Sequence, residues 1–110
     1  MKYGLARKIS IYDIDNGEGE EFVAPPAAYI QASLWSAKHL KGLADEIRGI
    51  YENYAWAWFA ARLAGLCGKY GMDGELTRER IDELSCRITI FIDVVEDDAL
   101  PLNGRASKRK

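Results

Sequence analysis

Residues 47–66, IRGIYENYAWAWFAARLAGL, constrain the fold more than any other part of the chain. Large apolar side chains recur there every three or four residues, which is the spacing of one face of an α-helix. One track holds Ile47, Tyr51, Tyr54 and Trp58, and a second track beside it holds Ile50, Ala55, Phe59, Leu63 and Leu66. A helix with two apolar tracks needs cover on two sides. We therefore expect its neighbours to be other helices or a binding partner.

The size and composition of the chain favour one folded domain. The 110 residues suit a single core, and 48% hydrophobic with 29% charged residues is typical of a globular protein. The longest nearly uncharged run, residues 53–61, falls far short of the roughly 20 residues that span a bilayer. The N-terminal residues include no apolar segment typical of a secretion signal. We expect a cytoplasmic protein without a membrane partner.

Two short segments near the N-terminus predict a β-hairpin. Residues 7–15, RKISIYDID, alternate apolar and polar side chains, and residues 20–24, EEFVA, can return as a second strand. Asn16 and Gly17 between them are typical turn residues. Pro25 and Pro26 end the second strand, since proline has no N–H for the ladder.

Three amphipathic segments then predict helices. The first covers about residues 27–41, the second begins after the capping residue Asp45, and the third begins after the capping residue Thr77. We expect a mainly α fold, in which the N-terminal hairpin is followed by a three-helix or a four-helix bundle, as one domain over residues 1–102. The predicted core is Ile47, Tyr54, Trp58, Leu66, Ile81, Leu84, Ile88 and Phe91.

The end of the third helix rests on two conflicting signals. Residues 87–95, RITIFIDVV, have the β-branched alternation of a strand. However, the apolar pattern that starts at Ile81 runs on without a turn residue, and its length favours a helix. We therefore predict that the helix continues through this segment.

Charge is divided unevenly along the chain. Four of the 15 basic residues and none of the 17 acidic residues lie in residues 103–110, which leaves 11 basic and 17 acidic residues in the rest. Such a basic ending is typical of a disordered, solvated tail. Nucleic-acid binding would need a basic folded surface behind the tail, and the body is acidic instead. We expect no nucleic-acid partner.

No motif in the chain predicts catalysis or cofactor binding. Cys67, Cys86 and the single histidine, His39, do not have the spacing of a metal site. The acidic segment DIDNGEGEE lacks the residue order of a calcium-binding loop, and a solvated hairpin turn accounts for it. We expect a protein that is not an enzyme and has no cofactor, catalytic residue or metal ligand.

Trp56 is the best candidate for a partner contact. It lies off both apolar tracks of the central helix, on the side that carries Glu52 and Asn53 one turn earlier. An aromatic side chain on a polar face is a typical anchor of a protein interface. We predict that Trp56, Glu52 and Asn53 contact a protein partner, and that the same patch supports homo-oligomers.

The order of segments resembles a known family. An apolar helix enters at EFVAPPAAYIQASL, a Tyr- and Trp-rich helix follows at NYAWAWFAARLAGL, and a third begins at DGELTRERIDEL. Together with the basic tail, this layout is similar to that of the small tail assembly chaperones of long-tailed bacteriophages. The resemblance covers about residues 9–95 and rests on layout, without diagnostic residues. It implies a cytoplasmic, non-enzymatic protein that keeps the helical tape-measure protein soluble until the tail tube assembles.

A second function is compatible with the same sequence. The acidic body fits a small inhibitor or adaptor from a mobile element, for example an anti-CRISPR protein that blocks a nucleic-acid site with its carboxylates. A structural or regulatory subunit of another assembly is a third class that the residues leave open.

Overall fold

A computed structural model describes residues 6–94, which form an α+β fold. The elements are β1 (Arg7–Asp13), β2 (Gly19–Ala24), α1 (Pro26–His39), α2 (Asp45–Leu63), α3 (Arg78–Leu84) and β3 (Ile88–Val94). The predicted disordered tail at residues 103–110 lies outside the described residues, as do residues 95–102 of the predicted domain.

The predicted fold class is wrong. The three helices do not form a bundle behind a hairpin, because β3 joins the hairpin in a three-stranded antiparallel sheet with the order β2-β1-β3. Residues 6–94 contain no fourth helix. The third helix ends at Leu84, and the chain turns at residues 85–87 before it extends. The β-branched alternation of the segment therefore decides its structure, and the length of the apolar pattern does not.

The predicted N-terminal hairpin is present, and its turn has two local causes. The Asp13 carboxylate accepts hydrogen bonds from the main-chain N–H groups of Asp15, at 2.8 Å, and Asn16, at 3.3 Å. Gly17 takes a positive φ of 73°, which glycine adopts without a steric penalty. At Gly19 a Cβ atom would lie 1.9 Å from the Ile11 carbonyl oxygen, so the return strand needs a glycine there.

The helices cover one face of the sheet. Ile9 of β1 is opposite Phe22 of β2 and Ile92 of β3, and Ile11 is opposite Ile90. Ile9 and Ile11 are fully buried in the core that the sheet shares with α2 and α3. On the open face, Phe91 is 55% exposed. The sheet is thus apolar on its helix side and mixed on its open side, as expected when one face is solvated.

The predicted core is correct in half of its positions. Trp58, Ile81, Leu84 and Ile88 are buried, and Tyr54 and Leu66 pack against the core with part of their surface exposed. Ile47 and Phe91 are wrong, with exposed fractions of 49% and 55%. Phe91 is exposed because the strand alternation turns it to the open face of the sheet, opposite the face that Ile90 and Ile92 share.

The first two helices pack side by side as a hairpin. The connection between them is only five residues, 40–44, and Gly42 within it has a φ of 85°. Both helices bury alanines, among them Ala28 and Ala32 of α1 and Ala55 of α2. The indole N–H of Trp35 donates to the Leu76 carbonyl at 3.1 Å, which ties α1 to the segment before α3.

Tyr54 links α2 to β3 and gives a testable contribution to stability. Its hydroxyl donates to the Ile88 carbonyl at 2.8 Å, and burial raises the pKa of the phenol above 10.0. We expect Tyr54→Phe to lower the free energy of unfolding by about 1 kcal/mol at neutral pH. Because the folded state holds the neutral phenol, its stabilisation is present below pH 10.0 and is lost as the pH rises through the folded pKa.

Urea unfolding at neutral pH and above pH 10 measures both effects, with Tyr29→Phe as the control because Tyr29 makes no described hydroxyl hydrogen bond. Equal losses in the two variants at neutral pH would contradict the role of the Tyr54 hydroxyl.

Candidate partner-binding groove

An open groove of about 320 Å³ lies between α1 and α2. Its α1 side and the following turn contribute Tyr29, Ala32, Ser33, Ser36, Ala37, Leu40 and Lys41, and its α2 side contributes Arg48, Glu52, Asn53 and Trp56. A short connection makes adjacent helices antiparallel, so the groove runs along a helical hairpin. The groove lies on the side of α2 opposite Tyr54 and Trp58, which face the core.

The floor of the groove is apolar. Ala32 is 4% exposed and Leu40 is fully buried. The small side chain of Ala32 leaves space at the middle of the helix pair, where a larger residue would fill the groove. The exposed apolar surface of the groove therefore comes from its walls, where Tyr29 is 38% exposed.

Trp56 forms the aromatic wall of the groove. Its ring centroid is 4.8 Å from that of Tyr29 across the helix pair, with the planes tilted by 59°. The guanidinium of Arg7 lies 5.6 Å from the centroid of the indole. These contacts hold the ring in place, so a partner meets a preformed surface and little side-chain entropy is lost on binding.

Two buried polar atoms at the groove have no hydrogen-bond partner among the described residues. They are the Ser36 hydroxyl and the indole N–H of Trp56. Ser36 is 6% exposed. An unpaired buried polar group costs about 1–3 kcal/mol, so these two atoms weaken the packing of the two helices locally. Neither atom is open to solvent, so a partner can reach them only if the groove widens.

Charged side chains lie at the rim of the groove, near the beginning of α2. Arg48 contacts Asp45 at 2.9 Å and Glu52 at 3.6 Å, three residues before and four residues after it on the helix. The three side chains are largely exposed, so each pair contributes little to stability. They form a polar rim, and their ion pairs can be exchanged for contacts with a second protein when it binds.

An exposed apolar stripe adjoins the groove along α1. Ile30 is 53% exposed and Leu34, one turn later, is 69% exposed. Ala37, which lines the groove, continues the same track three residues further on. Two residues along a helix turn the side chain by about 200°, so Ile30 lies nearly opposite the buried Ala32. The helix is therefore apolar on both sides, which is typical of a helix covered on both sides.

The groove brings together the three residues that the sequence predicts as partner contacts. Glu52, Asn53 and Trp56 all line it, although Trp56 is half-buried where an exposed side chain was expected. Their role in binding stays a prediction. Sequence reasoning missed Tyr29 and Ser36, since the pairing of two helices cannot be read from either one. A serine on the buried face of α1 was the available signal.

A second cavity, of about 620 Å³, lies beside the hairpin turn and is polar. The Lys69 ammonium contacts the Glu20 carboxylate there at 2.8 Å, and this hydrogen bond raises the pKa of Lys69. Burial and the nearby Glu20 charge raise the pKa of the Tyr70 hydroxyl. The charges around the cavity are of both signs, and Lys69 is already paired with Glu20. This cavity is therefore a weaker candidate than the groove.

Residues 6–94 contain no cluster of His, Cys, Asp or Glu that could hold a metal ion. None of their helices is long and apolar enough to cross a bilayer.

Comparison with known proteins adds no relative. No protein-family model, curated protein or solved structure matches the chain. Any function must therefore be argued from the residues and their geometry.

Proposed function

We propose that this protein binds an amphipathic helix of a protein client in the groove between α1 and α2. The observation that carries the proposal is the apolar groove itself, with Trp56 as its wall and the exposed stripe of Ile30 and Leu34 beside it. Contact of this kind between an apolar helix face and a groove is a recurring mode of peptide recognition.

The shape of the groove favours a helix over other ligands. Two antiparallel helices present a furrow along their line of contact, and a third helix packs there by placing its side-chain ridge in the furrow. The walls of the groove at Tyr29, Ala37 and Trp56 take apolar side chains of the client. The rim charges around Arg48 set the polar edge of the interface.

We propose further that the client is a phage tape-measure protein and that this chain is a cytoplasmic, non-enzymatic tail assembly chaperone. The supports are the layout of the sequence and a surface suited to a long helical client. A chaperone that covers apolar helix faces needs exposed apolar area and no catalytic group. The groove and the stripe on α1 supply such an area.

Co-expression tests the proposal. The chain is produced together with the long helical protein encoded next to its gene, and soluble client is measured with and without it. We expect the client to be insoluble alone and to co-purify with this chain when both are present. If the client is equally soluble without the chain, or if the chain captures a CRISPR effector instead, the chaperone function is wrong and the acidic-inhibitor function takes its place.

A further inference from the structure

The outer edge of β3 is open in the described structure. β1 is the central strand, and no other strand of residues 6–94 pairs with the far side of β3. An unpaired strand edge presents a row of N–H and C=O groups that can template another strand. This edge differs from the groove, since it belongs to the sheet layer and the groove is formed by α1 and α2.

The two sheet edges are protected to different degrees. β2 has adjacent glutamates, Glu20 and Glu21, and is followed by two prolines. Such charges and prolines are the usual means by which edges avoid pairing. β3 reads ITIFIDV, with one charge and no proline or glycine. The β3 edge therefore favours pairing with another chain.

The hydrogen-bond pattern shows which residues face this edge. The Ile14 N–H donates to the Arg87 carbonyl at 2.8 Å, so the alternation of an antiparallel ladder directs Thr89, Phe91 and Asp93 toward β1. The main-chain groups of Ile90 and Ile92 then point outward. The Ile88 carbonyl also points outward, consistent with the hydrogen bond that it accepts from Tyr54.

Self-pairing in the register centred on Phe91 satisfies both geometry and charge. When two β3 strands run antiparallel about Phe91, Ile90 of one copy is opposite Ile92 of the other, and their outward groups form hydrogen bonds. The two Phe91 rings then meet at the closely spaced position of the ladder. Asp93 is opposite Thr89, whereas a register centred on Asp93 would place two aspartates opposite each other.

Apolar side chains of α2 and β3 are left uncovered in the described structure. Ile47 and Ile50 share the face of α2 that carries Tyr54, and they are 49% and 58% exposed. Val94, on the helix side of β3, is 68% exposed. In the register about Phe91, Val94 of the second copy lies opposite Ile88, which contacts Tyr54. A second copy would thus place apolar side chains toward this uncovered surface.

We propose that the protein forms a symmetric dimer through its β3 strands, paired antiparallel about Phe91 into one continuous six-stranded sheet. The occupant of the edge is a second copy of the chain because the strand is self-complementary in both hydrogen bonding and charge. The groove between α1 and α2 stays open in this dimer and presents two client sites.

Sedimentation equilibrium of the full chain and its variants tests the dimer. The unmodified chain is expected to be a dimer at micromolar concentration. Phe91→Lys places two ammonium groups together and should weaken dimerisation about tenfold or more. Thr89→Lys should strengthen it by an ion pair with Asp93 of the other copy, whereas Thr89→Asp should weaken it. The opposite effects at one position report the register.

Val23→Lys is the matched control, since Val23 is an exposed apolar residue of the open face at the other edge strand. We expect it to leave the dimer unchanged, and circular dichroism verifies that each variant is folded. A monomeric unmodified chain would overturn the proposal, as would a dimer indifferent to Phe91→Lys. A dimer that appears only after deletion of residues 95–110 would show that the chain covers its own edge, and would also overturn it.

Discussion

Replacing Trp58 by alanine is expected to lower the free energy of unfolding by about 3–5 kcal/mol. Trp58 is fully buried between the sheet and α3, and it is the largest fully buried side chain of the described residues. The guanidinium of Arg80 lies over the Trp58 ring, 5.1 Å from the ring centroid, and covers one face of the indole. Alanine would leave a cavity that the sheet and helices cannot fill without moving apart.

Urea unfolding at one protein concentration measures this loss. Stability of a domain of this size is about 5–15 kcal/mol, so the expected loss is a large fraction of the total. Leu63→Ala, at the exposed end of the same helix, is the matched control and should cost less than about 1 kcal/mol. Similar losses in both variants would mean that the core is not centred on Trp58.

Trp56→Lys is expected to weaken client binding by about 2 kcal/mol, or about thirtyfold in Kd. The substitution removes the aromatic wall of the groove and its contact with Tyr29, and it places a charge on an apolar floor. Leu34→Lys should weaken binding as well, since Leu34 is 69% exposed and lies on the stripe that adjoins the groove. Titration calorimetry with a peptide of the client helix gives both values.

Folding of these variants has to be checked separately, because Trp56 is half-buried. Loss of folding could be mistaken for loss of binding in Trp56→Lys. Leu34→Lys avoids this problem, because the Leu34 side chain makes little contact with the core. Val23→Lys, on the open face of the sheet, should bind the client like the unmodified chain. Unchanged affinity in both Trp56→Lys and Leu34→Lys would exclude the groove and the adjoining stripe as the client site.

Local signals predicted the elements that local interactions determine. The turn at Asn16 and Gly17 and the cap at Thr77 are present, with the Thr77 hydroxyl accepting from the Arg80 N–H at 3.1 Å. Helix α2 begins close to the predicted position, at Asp45, although Ala44 and not Asp45 takes the cap position. Each of these depends on residues within a few positions of one another, so the sequence displays them directly.

Whether residues 88–94 form a strand or a helix depends on a segment that is far away in the sequence. β1 is about 80 positions earlier and offers a free edge at which Ile90 and Ile92 face Ile11 and Ile9. Helical periodicity and strand alternation are both present in the segment, and only the pairing with β1 decides between them. The sequence contained the strand signal, but it carried no indication that β1 needed a second neighbour.

Some residues of the groove could be predicted from the sequence, but the shape of the groove could not. Trp56 stands out on the polar side of α2, and Glu52 and Asn53 follow from helical spacing. Ser36 and Tyr29 could not be predicted in this way, because they become part of the site only when α1 packs against α2. Ile47 and Phe91, expected in the core, are exposed because no described element covers them.

Site-specific cross-linking tests the central claim, that a client helix lies in the groove between α1 and α2, most directly. A photo-crosslinking amino acid is placed at Asn53, an exposed position of the groove, or at Val23 on the open face of the sheet. Each variant is co-expressed with the client and irradiated. We predict a cross-link to the client from position 53 and none from position 23. A client that co-purifies but cross-links only from position 23 would contradict the account.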